Sequence, residues 1–244
     1  MSKDSKTGDA VASQTTSEIL VVADADARSL LAEAVVDMGA GAFDMDKIKL
    51  PSSGAEFFEV EGPSGTEAKK ELDVVIAAVR GSQKAWYRTT MDEGGGGAAP
   101  SCSSTDGVTG FGTRDLSAPE DAEPQQHSCG DCPWNQFGSS RGAGAGKDCS
   151  DSYHLIFYRL DAGLPDFMVV PAGSLKAVRS YLMRLLKYKS KPQSVVTRIS
   201  LESTKNASGT KFSRLVLNKL RDLDDAERAV FATLKEPCEQ MLLR

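Results

Sequence analysis

The chain has 244 residues, 40% of them hydrophobic, enough for one substantial core or for one domain carrying a long insertion. Its 29 Lys and Arg against 34 Asp and Glu give a formal charge of −5, an average that argues against a polyanionic partner. No apolar run approaches the roughly 18–20 residues that span a bilayer. The opening MSKDSKTGDAVASQTTSE lacks the apolar stretch of a secretory signal, so a cytoplasmic protein with no membrane partner is expected. In a reducing compartment, five cysteines read as metal ligands or free thiols rather than as a disulfide frame.

In chain order, residues 1–20 are small, polar and aperiodic, the composition of a disordered tail. A helix is expected over about Asp26 to Met38, where Leu30, Leu31, Ala34, Val35 and Met38 recur at helical spacing and Gly39 can stop it. Phe57 to Val60 reads as a strand between turn-forming clusters. So does Leu72 to Arg80, which Lys84 to Arg88 continues or pairs with after Gly81-Ser82.

From about Asp92 to Ser152 the character changes. Twelve of the 22 glycines lie between Gly94 and Gly146, and four of the five cysteines lie in the stretch from Asp92 to Ser152. A structureless loop of that length inside a compact domain is improbable, so something must order it.

Tyr153 to Leu160 and Phe167 to Pro171 read as strands. Ser174 can then cap a helix from about Leu175 to Lys189, and Gln193 to Ser203 pairs with Lys211 to Leu220 as a hairpin turning at Asn206 to Gly209. A last helix is expected from about Asp224 to Leu243, interrupted by Pro237. The fold class expected is mainly β with helices, α+β. Its architecture would be an OB-like small β-barrel with a long Cys/Gly-rich zinc-binding insertion and a C-terminal helix. The expected units are a tail (1–20), a first part of the barrel (21–91), the insertion (92–152), a second part with a basic helix and hairpin (153–221), and the C-terminal helix (222–244).

Cys129 and Cys132 have the two-residue spacing of a zinc knuckle. Cys102 and Cys149 can complete a quartet from 26 intervening residues upstream and 16 downstream. One structural Zn2+ held by Cys102, Cys129, Cys132 and Cys149 would supply folding free energy to a segment poor in core. His127 is an alternative to one cysteine, and free thiols with no metal are the plain alternative to a site. No strand–CxxC–helix context favours a redox pair. Cys238, with no partner nearby, reads as a packed or idle thiol. A catalytic zinc needs an open position and a base, and neither H-x-E nor HExxH occurs. The carboxylates Asp92, Glu93, Asp106 and Asp131 could in principle hold a nuclease metal but follow no supporting pattern, so no enzyme is expected.

The motifs P-S-C-S-S-T-D-G from Pro100, C-G-D-C-P-W-N-Q-F-G-S from Cys129, and Gly146-Lys147 before Cys149 resemble a pattern in phage-encoded zinc-containing proteins. That pattern is P-x-C-x-S-x-D-G, then C-x-x-C-P-x-N-x-aromatic-G-S, then G-K-x-C. The likeness continues into Leu164-Pro165 and Ser174 to Val196, about two-thirds of the chain. It implies a role in phage DNA metabolism, similar to that of phage single-stranded DNA-binding proteins that combine a barrel with a zinc subdomain. Such relatives carry basic residues after the last cysteine, whereas here Ser150-Asp151-Ser152 follow.

Between Gly173 and Arg221 twelve cations face the single Glu202, a charge of +11 over 49 residues that leaves −16 elsewhere. On a helical projection Leu175, Val178, Leu182, Leu185 and Leu186 fall on one side and Lys176, Arg179, Arg184 and Lys187 on the other. In the hairpin, Arg198 points away from the face of Val195, Thr197, Ile199 and Leu201. A phosphate track flanked by stacking aromatics is the pattern of single-strand binders. The rings available are Trp86, Tyr87, Tyr153, Phe157, Tyr158, Tyr181 and Phe212. The residues expected to contact nucleic acid are Lys84, Trp86, Tyr87, Arg88, Lys176, Arg179, Arg184, Lys187, Arg198, Lys211 and Arg214.

The function expected is thus sequence-independent, non-catalytic binding of single-stranded DNA in phage replication or recombination, alongside other replication or recombination proteins. The alternative is a zinc-containing interaction module that meets a host or phage polymerase or replication protein through its basic helix.

Overall fold

The computed structural model describes residues 37–243 except 52, 63, 90–98, 120, 143–145 and 207–208, together with 29 and 33. The N-terminal tail and nearly all of the expected helix before Met38 lie outside the described residues, as do Asp92 and Glu93.

Ten strands and two helices are described: β1 (Phe58–Gly62), β2 (Gly65–Lys69), β3 (Glu71–Trp86), β4 (Cys102–Ser104), β5 (Thr109–Gly112), β6 (Gln125–Ser128), β7 (Ser150–Arg159), β8 (Asp166–Pro171), α1 (Ala172–Lys187), β9 (Val195–Lys205), β10 (Lys211–Asp222) and α2 (Asp225–Leu243). The class is α+β, mainly sheet with two helices. Strands β1 and β2 form a separate hairpin, and the rest make one eight-stranded sheet ordered β10-β9-β3-β4-β5-β6, with β7 joined to β3 and β8 to β7.

No closed barrel is found among the described residues, and the physical reason lies in the central strands. In β3, Val74 to Ala78 are all buried, and in β7 so are Leu155 to Tyr158. Such continuous burial means a sheet covered on both faces, not one curled around a single interior. Leu155, Phe157, Val74 and Ile76 pack with Val178, Tyr181 and Leu185 of α1. Ile156, Tyr158, Val75 and Ala77 pack with Phe231, Leu234, Cys238 and Met241 of α2. The edges are also occupied: Phe167 of β8 exchanges backbone bonds with Asp46 and Ile48, and the Leu215 N–H of β10 donates to Ser174 Oγ at 3.0 Å.

That bond corrects the reading of Ser174 as a cap. The residue is inside α1, which starts at Ala172, and is fully buried. Pro237 does not interrupt α2, which is continuous from Asp225 to Leu243. Its C-terminal end is bound through the Leu242 carbonyl by the Arg80 guanidinium, a cation at the negative end of the helix dipole.

The long strand β3 links the sheet to the cysteine-rich segment. Its register with β7 shifts between Arg80 and Gln83, and Ser82 has a φ of 59°, so a bulge turns the strand. Gln83 stabilises the turn by donating to the carbonyls of Gly81 at 3.0 Å and Thr105 at 2.8 Å. Past it, Lys84 to Trp86 pair with β4 on one edge, and Gln83 to Ala85 pair with β7 on the other.

Candidate metal centre and basic face

The four cysteines reach one place from four different elements. Cys102 opens β4, Cys129 follows β6, Cys132 precedes the 3-10 turn Pro133–Asn135, and Cys149 precedes β7. All four are buried and line one cavity of about 10 Å³, with Lys84, Trp86, Arg114, His127, Trp134 and Asn135 in its wall. A volume of that size holds one atom-sized occupant. The glycines of β5 let the backbone come close. A Cβ on Gly110 would lie 3.2 Å from Cys102 Sγ and 3.0 Å from His127 Nε2.

Burial pushes the Cys102 thiol up to about 11, with the charges of Cys129 and Cys132 adding to it and Arg114 opposing. Burial likewise pushes Cys149 up to about 12, with Lys84 opposing and Cys132 and Cys102 adding. The four sulfurs therefore share one electrostatic neighbourhood. Among the described residues no group of three or more His, Cys, Asp and Glu side chains is drawn together tightly enough to hold a metal ion as it stands. The donor set nevertheless suits a divalent soft-tolerant cation, since four thiols and an imidazole converge on one small cavity. His127, the alternative ligand, has Nε2 at 3.2 Å from Cys102 Sγ and lines the same cavity as the four cysteines. Cys238 is fully buried in α2, its Sγ 4.0 Å from the Tyr158 hydroxyl.

The wall of the cavity is tied together by aromatic and charged contacts. Trp86 stacks on Trp134, and the Arg141 guanidinium lies 5.5 and 5.6 Å from the two ring centroids. Asp148 accepts from Trp86 Nε1 at 2.7 Å and Arg141 Nε at 2.7 Å.

These contacts correct part of the expected nucleic-acid face. Trp86 is only 1% exposed and offers no free ring to a base. Lys84 is engaged by Asp151 and by Asn135 Oδ1 at 3.0 Å. Arg88 donates to the carbonyls of Ala118 and Asp115, holding a loop rather than facing solvent. Arg198 is bound by Asp73 and Glu71, and those bonds raise its already high pKa. Arg214 is bound by Glu202. Phe157, Tyr158 and Tyr181 are core residues, and Tyr181 hydroxyl meets Thr197 Oγ1 at 2.6 Å. Asp106 shapes a turn, accepting from the Val108 and Thr109 N–H groups at 2.7 Å each, and these bonds hold its carboxyl below the usual range.

Helix α1 does present the expected cations. Lys176, Arg179, Arg184 and Lys187 are exposed, and among the described residues none of the four forms an ion pair. Rings accompany them. Arg179 Nε donates to Tyr153 hydroxyl at 3.0 Å, with its guanidinium over that ring. Phe212 lies against Gly173, where a Cβ would come within 2.8 Å of the ring. Lys187 lies over Tyr188, which is 72% exposed. Tyr87 and Lys211 are exposed elsewhere. Leu186 departs from the projection and is exposed, as is Met183.

Sequence reasoning missed Tyr188, Phe111 and Phe137 as exposed rings. A signal existed for the first, since Tyr188 lies between Lys187 and Lys189. No described helix is long and apolar enough to cross a membrane. No family model, no curated protein and no solved structure matches this chain.

Proposed function

We propose that the protein binds single-stranded DNA without sequence preference and without catalysis, in phage replication or recombination. The observation that supports this reading is the outer face of α1, where four cations with no acidic partner among the described residues run beside Tyr153 and Tyr188. The other cations of the basic stretch do not add to it equally, because Arg198, Arg214, Lys219 and Arg221 are each paired with a carboxylate. Free cations beside rings suit phosphates and stacked bases. The reading does not depend on a closed OB-like barrel, only on that face.

A structural zinc at Cys102, Cys129, Cys132 and Cys149 is part of the proposal, supported by four buried thiols around an atom-sized cavity. A reducing host cytoplasm is the compartment proposed, in keeping with five free thiols.

Fluorescence polarisation of a labelled oligonucleotide at two salt concentrations tests the binding. Affinity should fall steeply with salt through counterion release. Absence of binding at micromolar protein and low salt rejects it. A second reading, docking on an acidic face of a polymerase or other replication protein, is favoured by Met183 and Leu186, 61% and 57% exposed among the cations. Purified protein carrying nucleic acid supports the first reading, and a stoichiometric partner band supports the second.

A further inference from the structure

We propose that Lys84 and Arg114 are positioning residues of the cysteine centre, supplying the positive charge that lets four thiolates gather there. The inference rests on the metal reading of that centre. Four thiolates around one divalent ion leave an excess of negative charge, and burying such an excess without counter-charge is costly.

Both residues line the cavity, Lys84 from β3 and Arg114 from just beyond β5. The Lys84 side chain is only 12% exposed, unusual enclosure for a lysine, so little of it is left for a phosphate to reach. Its nearest carboxylate, Asp151, is shared with Lys147. Asn135 Oδ1 accepts from both ammonium groups, at 3.0 and 3.1 Å. One carboxylate thus faces two lysines, and a net positive charge remains beside the sulfurs. The same Asn135 donates through Nδ2 to the Cys129 carbonyl at 2.7 Å, which ties this charged group to the C-x-x-C turn. Arg114 forms no ion pair among the described residues, and its carbonyl is fixed by Trp134 Nε1 at 2.7 Å. Its positive charge, with no carboxylate paired to it among the described residues, acts on both Cys102 and His127.

The role is one of charge, so a charge-conserving replacement must preserve it. The test uses the full chain, stripped with a chelator and titrated at neutral pH with zinc against a competing chelator, and with cobalt, whose thiolate absorbance reports the ligands. Lys84→Met and Arg114→Met should each weaken zinc by about 10- to 100-fold, the usual effect of removing a group that supports metal ligands. Lys84→Arg should stay within a few-fold of the parent. Saturated variants should keep the cobalt–thiolate band. Unchanged zinc affinity in both methionine variants overturns the inference. So does an equal loss in Lys84→Met and Lys84→Arg, which would mark a steric role. Arg114 is exposed, so its variant keeps the test open should Lys84→Met fail to fold. A parent chain that takes up neither metal overturns the metal reading itself, and this inference with it.

Discussion

Trp86 and Trp134 stack with their ring centroids 5.2 Å apart and their planes 16° from parallel. They are the only tryptophans in the chain, and both stand in the wall of the cysteine cavity. All indole fluorescence therefore originates beside the candidate metal. Trp86 comes from the sheet's longest strand and Trp134 from the C-x-x-C turn, so the stack is also a joint between the two parts of the fold. Adding a strong chelator should shift the emission to longer wavelength and remove near-ultraviolet circular dichroism. An unchanged spectrum together with no metal in the purified protein would sink the zinc proposal.

Gly110 is the glycine whose missing side chain leaves room for Cys102 Sγ and His127 Nε2. An alanine methyl there would press on Cys102 Sγ and His127 Nε2. Gly110→Ala should lower the zinc content and cost about 1–3 kcal/mol, the usual effect of overpacking. Metal analysis and thermal unfolding check both, and a variant equal to the parent in both would show that the strand can yield.

Charge reversal separates the free cations from the paired ones. Arg184→Glu with Lys187→Glu should weaken oligonucleotide binding and flatten its salt dependence, by about 0.7 in the logarithmic slope for each phosphate no longer neutralised. Arg198→Ala should leave that slope alone, because its guanidinium is already held by Asp73 and Glu71, and should cost at most about 1 kcal/mol of stability. The reverse ranking would move the binding face from α1 to the hairpin.

His154 is packed edge-on against Phe43 and Phe167, with centroids 5.7 and 5.3 Å away. Burial, with Arg80 and Lys47 nearby, pushes its imidazole down from 6.5 to about 4. Between those values the unfolded chain holds a proton that the folded chain does not, so stability falls as pH drops through that window. The contribution should be about 1–2 kcal/mol for a partly exposed ring. His154→Phe should flatten the slope of unfolding free energy between pH 4 and 6.5, and an unchanged slope would assign the acid sensitivity to other groups.

Much of the fold was legible where a period was present. The apolar stripe of α1 and the alternation of β9 follow directly from residue order, as do β7, β8 and the hairpin turn. Strands β4 to β6 were not legible, because CSS, TGFG and QQHS carry neither alternation nor β-branched runs. They are strands because β3 offers an edge on which β4 pairs, and β5 and β6 pair onward from it. The expected barrel failed on information that was present: unbroken apolar runs at Val74 to Ala78 and Leu155 to Tyr158 belong to a sheet covered on both faces. The gathering of the four cysteines was anticipated by their spacing. The burial of Trp86 was not, since flanking Lys84 and Arg88 look like a binding strip until Asp151 and the Ala118 carbonyl are seen to occupy them.

The course of β3 beyond its bulge bears on any attempt to dissect the protein. Lys84 to Trp86 form one flank of the cysteine segment's small sheet, and among the described residues the apolar cluster around Trp86 is made of Cys102, Cys149 and Trp134 from that segment. The segment is inlaid, not appended. A chain shortened by excising residues 92–149 would keep the host strand but strip one of its edges, baring an indole and a row of unpaired backbone groups on an otherwise intact sheet. Such an edge invites pairing between molecules, so the shortened chain should self-associate, whereas replacing Trp86 and charging the strand end should keep it monomeric.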